Sequence, residues 1–321
     1  MVLTRRLAVS ATIALLAPPA MAATQSFDAF LQGVRAEARR QGVSDAILNR
    51  ALNGLRPNER VLELDRRQPE FTQTWEQYRD ARLSQARIDG GRRAFAENRA
   101  TLEAVQARFR VSARVVVAIW GLETNYGGFT GNFNIIESLA TLAWDGRRSA
   151  YFRAELLAAL RILQGGHVTP ERMRGSWAGA MGHPQFMPSN FDRLAVDMDG
   201  DGRRDIWGSI PDALASIANY LARSGWREDE PWGREVVLPA GFNQEDARRE
   251  NTRPLRDWVR MGVRRPDGSA LPGLDIEAAI IIPGAPGGQA FVIYPNFNVI
   301  RRYNPSNFYA LAVGLLSDRV A

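Results

Sequence analysis

Glu123 stands at the end of the apolar run Val115-Val-Val-Ala-Ile-Trp-Gly-Leu122, three, four and seven residues after Trp120, Ile119 and Val116. On a helix those four side chains share one face. A carboxyl group on an apolar, aromatic face is desolvated, which disfavours its charged form and lifts its pKa toward the range of a general acid. The pair Gly127-Gly128 that follows is expected to break the helix and leave the acid at the edge of a cleft. The same spacing also fits a Glu that reaches solvent or caps a neighbouring segment.

A second cluster runs Gly175-Ser-Trp-Ala-Gly-Ala-Met-Gly-His-Pro-Gln-Phe-Met-Pro-Ser-Asn190. Its small residues permit close backbone approach, while Trp177, Gln185 and Phe186 offer a flat apolar surface with amide donors and acceptors, which suits a sugar ring. A structural loop that sinks its aromatics into the core fits the composition equally well. A third cluster, Asp197-Met-Asp-Gly-Asp-Gly-Arg-Arg-Asp-Ile-Trp207, puts carboxylates at positions 1, 3, 5 and 9 of an EF-hand-like loop, with Gly202 at position 6 and the Arg203 carbonyl at position 7. Position 12 is Gly208, so the usual bidentate Glu is missing. Calcium would relieve the mutual repulsion of Asp197, Asp199 and Asp201. Without a metal the aspartates would cap turns and pair with Arg203 or Arg204.

The elements that must hold these groups are mostly helical. Apolar residues recur at helical spacing from Ser26 to Arg110, for example Phe27, Phe30, Leu31 and Val34. Ser112 can cap the run ending in Glu123. Ser149 can cap a helix that buries Phe152, Leu156, Leu160 and Leu163 and stops at Gly165-Gly166, and a further helix carries Leu214, Ile217 and Leu221 from about Ser209. After Trp232 the short runs Glu235 to Leu238, Ala278 to Ile282 and Gln289 to Tyr294 read as strands, and Ser306 to Ser317 returns to helical spacing. The expected class is mainly α (α+β): a helical region at 23–110, a core at 111–232, a small β-containing part at 233–299 and a returning helix at 300–321.

Residues 1–22 read as a secretory signal peptide: Arg5-Arg6, an apolar stretch from Leu7 to Ala17 and the cleavage pattern Ala20-Met-Ala22. The stretch is shorter than the roughly 20 residues a spanning helix needs, so no transmembrane anchor is expected. Without Arg5 and Arg6 the chain carries 39 basic and 35 acidic residues, a net charge of +4. Much chemistry is excluded outright. The 321 residues contain no cysteine and no lysine, which removes thiol catalysis, thiolate metal sites, Schiff bases and a P-loop lysine. Only His167 and His183 could serve a triad or an imidazole metal centre. Arginines are spread along the chain with no nucleic-acid motif, so no nucleic-acid partner is expected.

Glu123-Thr-Asn-Tyr-Gly, Gly179-Ala-Met-Gly-His-Pro-Gln-Phe-Met-Pro-Ser, the Asp-rich loop, Ala218-Asn-Tyr-Leu, Arg302-Tyr-Asn-Pro-Ser and Pro69-Glu-Phe-Thr-Gln-Thr-Trp together resemble the lytic murein transglycosylase B family, in order and spacing and over nearly the whole chain. The resemblance implies a lysozyme-like core flanked by an α-helical domain and a smaller β-containing one. It implies cleavage of the β-1,4 bond between N-acetylmuramic acid and N-acetylglucosamine in peptidoglycan, leaving a 1,6-anhydromuramoyl end, with no cofactor for catalysis. The family's catalytic acid falls on Glu123. Its glycan-contacting positions fall on Met181, Gln185, Tyr220, Tyr303, Asn304 and Tyr309, and no catalytic role falls on His183. The family's longer acidic loop suggests Asp212 as the remaining ligand of a structural Ca2+, beside Asp197, Asp199, Asp201 and Arg203. A periplasmic location follows, with peptidoglycan strands as the partner and cell-wall synthesis proteins as a further class. A muramidase that hydrolyses the same bond, and a peptidoglycan-binding scaffold without turnover, are the competing readings.

Overall fold

The computed structural model describes residues 25–67 and 73–321. The expected leader at 1–22 and Pro69 to Thr72 of the Pro69–Trp75 motif lie outside that range. Among the described residues the chain forms fourteen α-helices: α1 (Phe27–Arg40), α2 (Asp45–Leu52), α3 (Glu59–Arg66), α4 (Trp75–Arg82), α5 (Gln85–Glu97), α6 (Arg99–Phe109), α7 (Ala113–Thr124), α8 (Ile135–Asp145), α9 (Ser149–Gln164), α10 (Pro188–Leu194), α11 (Ile210–Arg223), α12 (Leu255–Arg260), α13 (Pro295–Tyr303) and α14 (Asn307–Ser317). Many begin on a side-chain cap. Ser26, Ser44, Asn58, Asn134, Ser209 and Ser306 each accept a bond from a first-turn backbone N–H, and Thr74 with Gln77 closes a full capping box on α4. Ser112 precedes α7 but makes no side-chain cap bond, and α9 starts at Ser149 with Arg148 as its cap residue.

These helices bury two separate cores. In one, α1 to α3 lay Phe27, Val34, Leu48, Leu52 and Val61 against Leu139, Leu156 and Leu160 of α8 and α9, together with Met181, Phe186 and Phe191. In the other, Trp75 of α4 joins Val116, Ile119 and Trp120 of α7, Leu214 and Ile217 of α11 and Leu311 of α14. The described helices before residue 110 therefore feed both cores. Among the later of them, α5 and α6 pack on the helix that carries Glu123, and α4 packs on α14.

The strands are β1 (Phe133–Asn134), β2 (Arg174–Gly175), β3 (Gly233–Val236), β4 (Arg253–Pro254), β5 (Glu277–Ile281) and β6 (Ala290–Ile293). β1 and β2 form a short antiparallel ladder that anchors the start of the glycine-rich cluster. The other four form an antiparallel sheet in the order β3-β6-β5-β4. Period-two alternation gives this sheet two apolar faces. Ala279, Ile281, Phe291 and Ile293 meet the second helical core, while Val236, Ile280 and Val292 meet Trp258 of α12 on the far side. α12 and α13 fall where strand and loop texture dominates the sequence. α13 begins at Pro295 and carries the chain from the sheet back to α11 and α14.

Candidate active site

Helix α7 stops before the glycine pair. Asn125 and Tyr126 both take left-handed backbone conformations, φ 51° and 59°, and Gly127 continues with φ 84°. This turn folds Tyr126 back along the helix, where its ring meets Trp120 edge-on at 5.9 Å and its hydroxyl donates to the Arg87 carbonyl at 2.9 Å. Gly121 makes room for it, since a Cβ there would lie 2.5 Å from the Tyr126 ring. Glu123 is left half-buried at the end of the apolar face, with Val116 and Ile119 fully buried behind it.

The Tyr309 hydroxyl, from the first turn of α14, donates to Glu123 Oε1 at 2.6 Å. Burial pushes the Glu123 carboxyl up to about 7, against the opposing pull of the Tyr309 hydrogen bond and the Arg82 charge. The phenols of Tyr303 and Tyr309 are raised well above their ordinary range, by burial first and by the nearby Glu123 charge second, so both stay protonated donors. Arg82 and Tyr78, stacked cation over ring at 5.4 Å, bring the end of α4 to the same place. Sequence reasoning missed this pair. Their i, i+4 spacing is visible in the sequence, but nothing local says that the end of α4 reaches Glu123.

Opposite the acid, Tyr220 and Tyr303 stand with ring centroids 4.6 Å apart over Phe186. The Tyr303 hydroxyl donates to the Pro184 carbonyl at 2.5 Å, and Tyr220 donates to the Arg302 carbonyl. Gln185 sits in a left-handed conformation, φ 51°, its amide nitrogen donating to the Thr130 and Gly182 carbonyls at 3.0 and 2.8 Å. Asn304 is exposed and caps the Ser306 N–H at 3.2 Å.

Two expectations are corrected here. Met181 has no exposed surface. Its backbone bridges Gly175 and Phe186 and its side chain joins the first core, so it anchors the loop from within instead of presenting an open side chain. Phe186, 2% exposed, is the floor under the two tyrosines and not an open face.

In the acidic loop, carboxylate oxygens of Asp197, Asp199 and Asp212 come within 4.8 Å of one another. Asp212 is fully buried and accepts from the N–H groups of Met198 at 2.7 Å, Asp199 at 3.4 Å and Asp205 at 2.7 Å. Its carboxyl is raised by burial, with those backbone bonds pulling the other way. Asp201 pairs instead with the Arg203 guanidinium at 2.7 Å and stands outside the cluster, while the Arg203 ligand expected from the sequence is its backbone carbonyl, which that pair leaves free.

Residues 26–318 match the transglycosylase SLT domain family. The chain belongs to it. SltB3 from Pseudomonas aeruginosa, solved in complex with NAG-anhNAM-pentapeptide, is 48% identical with a TM-score of 0.90, over 92% of this chain and 80% of its own. The membrane-bound lytic murein transglycosylase B of Escherichia coli strain K12 is 31% identical over 259 residues, 77% of this chain and 67% of the relative. Slt35 of Escherichia coli, solved in complex with calcium, is 28% identical with a TM-score of 0.76, over 91% of this chain and 92% of its own. The chain is thus a lytic transglycosylase with the mainly helical, lysozyme-like fold of these enzymes.

Proposed function

We propose that this lytic transglycosylase cuts the β-1,4 bond between N-acetylmuramic acid and N-acetylglucosamine in peptidoglycan strands, with Glu123 as acid and then base. The observation that carries this reading is Glu123 itself: a carboxyl raised to about 7, bonded through one oxygen to the neutral phenol of Tyr309 and close to that of Tyr303. Protonated Glu123 donates to the glycosidic oxygen as the C1–O bond breaks through an oxocarbenium-like transition state. The resulting carboxylate takes the proton of the muramoyl C6 hydroxyl as that oxygen attacks C1, which closes the 1,6-anhydro ring and returns Glu123 to its acid form. No water is consumed. Assistance from the substrate's own N-acetyl group takes the place of a second carboxylate. The Tyr309 bond and Arg82 steady the carboxylate between the two transfers, and Tyr220, Tyr303 and Gln185 form the shelf that receives the sugars.

The occurrence of SltB3 with NAG-anhNAM-pentapeptide supports the anhydro product and a peptide-bearing glycan as substrate. Asp197, Asp199 and Asp212 suit a hard cation: three carboxylate oxygens converge, one from a fully buried residue. They would hold structural Ca2+, which supplies no step of the reaction. Export to the periplasm rests on the leader pattern of residues 1–22, and no helix among the described residues is long and apolar enough to cross a membrane.

Mass spectrometry of the soluble products from purified peptidoglycan tests the reading. Wild-type protein is expected to release anhydromuropeptides, and Glu123→Gln to release them at least ~1000-fold more slowly while still binding the strands. Reducing ends from the wild type would favour the muramidase, and full activity in Glu123→Gln would remove Glu123 from its role.

A further inference from the structure

We propose that His183 is a positioning residue that fixes the sugar shelf relative to Glu123, an inference that rests on Glu123 as the acid. The Trp120 indole Nε1–H donates to His183 Nδ1 at 3.0 Å, between two residues that are 4% and 8% exposed. An indole N–H can only donate, so Nδ1 carries the lone pair and the ring proton sits on Nε2, on the side of the Trp207 backbone. Trp120 lies one helical turn before Glu123 on the same face. A single imidazole therefore contacts the helix that carries the acid and the loop that forms the opposite wall.

The other bonds of this segment make the link stiff. The single hydroxyl proton of Thr124, the residue after the acid, is shared between the Trp120 carbonyl at 3.2 Å and the His183 carbonyl at 3.4 Å. The His183 N–H donates to the Ile206 carbonyl at 3.0 Å. The ring lies so close under the turn ending α7 that a Cβ on Gly127 would meet His183 Cε1 at 2.4 Å. From the next two residues, the Pro184 carbonyl holds Tyr303 and the Gln185 amide holds Thr130. Residues 183–185 thus run from the acid's helix to the tyrosine shelf, and the Trp120–His183 bond sets their spacing. A shift of about 1 Å between acid and glycosidic oxygen is enough to slow proton transfer about 100-fold. Sugar binding, which rests on Tyr220 and Tyr303, would change little.

The two amide replacements of histidine separate this role from bulk packing. Asn places an oxygen near the Nδ1 position and can still accept from Trp120. Gln places its amide near the Nε2 position and leaves the indole N–H unmatched. On purified glycan strands, His183→Gln and Trp120→Phe are each expected to lower kcat by ~10–100-fold with KM within ~3-fold, and His183→Asn to stay within ~5-fold of wild type. The double variant His183→Gln/Trp120→Phe should be no slower than the worse single one, because both remove the same bond. Circular dichroism melts give the folded fraction at the assay temperature. The proposal is overturned if His183→Asn is as slow as His183→Gln, if the two losses multiply, if the loss falls on KM, or if it merely follows the folded fraction. A Glu123→Gln control that stays active would instead sink the acid assignment, and so the two failures are told apart.

Discussion

Glu123 and Asp212 are carboxylates that burial raises, placed at opposite ends of helices. Glu123 lies in the last turn of α7, where the helix dipole opposes negative charge, and its hydrogen-bond donor is one phenol. Asp212 lies in the first turn of α11, where the dipole favours negative charge, and three backbone N–H groups converge on it. One fold thus tunes the same functional group two ways. The carboxyl with one phenol donor at a helix C-terminus holds its proton to higher pH than an ordinary glutamate. The carboxylate held by three backbone donors at a helix N-terminus ties a loop together.

The largest expected effect tests the Asp212 side. In Asp212→Asn an amide NH2 must replace one of the two accepting oxygens, and it would then face backbone N–H donors. Denaturant unfolding at pH 7 in chelator is expected to show a loss of ~2–4 kcal/mol, the range for removing charge-assisted bonds from a buried site. A loss under ~0.5 kcal/mol would mean that the loop does not depend on this carboxylate and that the contrast with Glu123 is empty.

The opposite sign is expected at Glu123. Its folded pKa of about 7 exceeds the ordinary value of 4.5, so between those pH values the folded chain keeps a proton that the unfolded chain releases. The stability this group allows is fully present below pH 4.5 and is lost as pH rises through about 7. The penalty above pH 7 is at most ~3 kcal/mol, and less to the extent that water reaches the half-buried side chain. Glutamine does not ionise. Glu123→Gln should therefore match wild type in stability at pH 4 and exceed it at pH 8, as read by melting temperature. Equal stability at both pH values would show that the carboxyl is not strained in the native state. The wild-type rate should also fall as pH rises through about 7, since the acid form is then depleted.

What the sequence disclosed follows the range of the interaction responsible. The α7 run with its acid and the helix that starts near Ser209 are local, set by residues three to seven apart, and they stand where spacing puts them. The main strands were displaced by only one or two residues. α12, six residues long and next to a strand, is too short to show a period, and α13 opens with Pro295 directly after β6. The exposure of aromatics was illegible for a different reason. Whether Phe186 forms a floor or a face depends on Tyr220 and Tyr303 arriving from elsewhere in the chain, as the approach of Tyr78 and Arg82 to Glu123 does. Within the acidic loop a local pair prevailed over the ligand pattern, since Arg203 lies two residues from Asp201 and claims its carboxylate.

The smallest effect sharpens the comparison at its metal end. Asp212 already accepts three backbone bonds, so a cation would gain from it only the lone pairs that remain, with Asp197 and Asp199 completing the cluster. Asp197 spends both oxygens on the Gly200 and Gly202 N–H groups, at 2.7 and 2.9 Å, which shapes the loop before any ion arrives. Preshaping of this kind would make Ca2+ an addition to a formed loop and not a condition for folding. Millimolar Ca2+ added to chelated protein is therefore expected to raise the melting temperature by only a few degrees, about 1–2 kcal/mol of linkage, and Asp197→Asn should abolish that rise. A chelated protein that fails to fold would reverse the assignment, because the backbone donors around Asp212 would then be insufficient to hold the loop unaided. A melting temperature indifferent to Ca2+ would leave the cluster to those donors alone, and the two carboxylates would differ by helix end and hydrogen bonding with no metal involved.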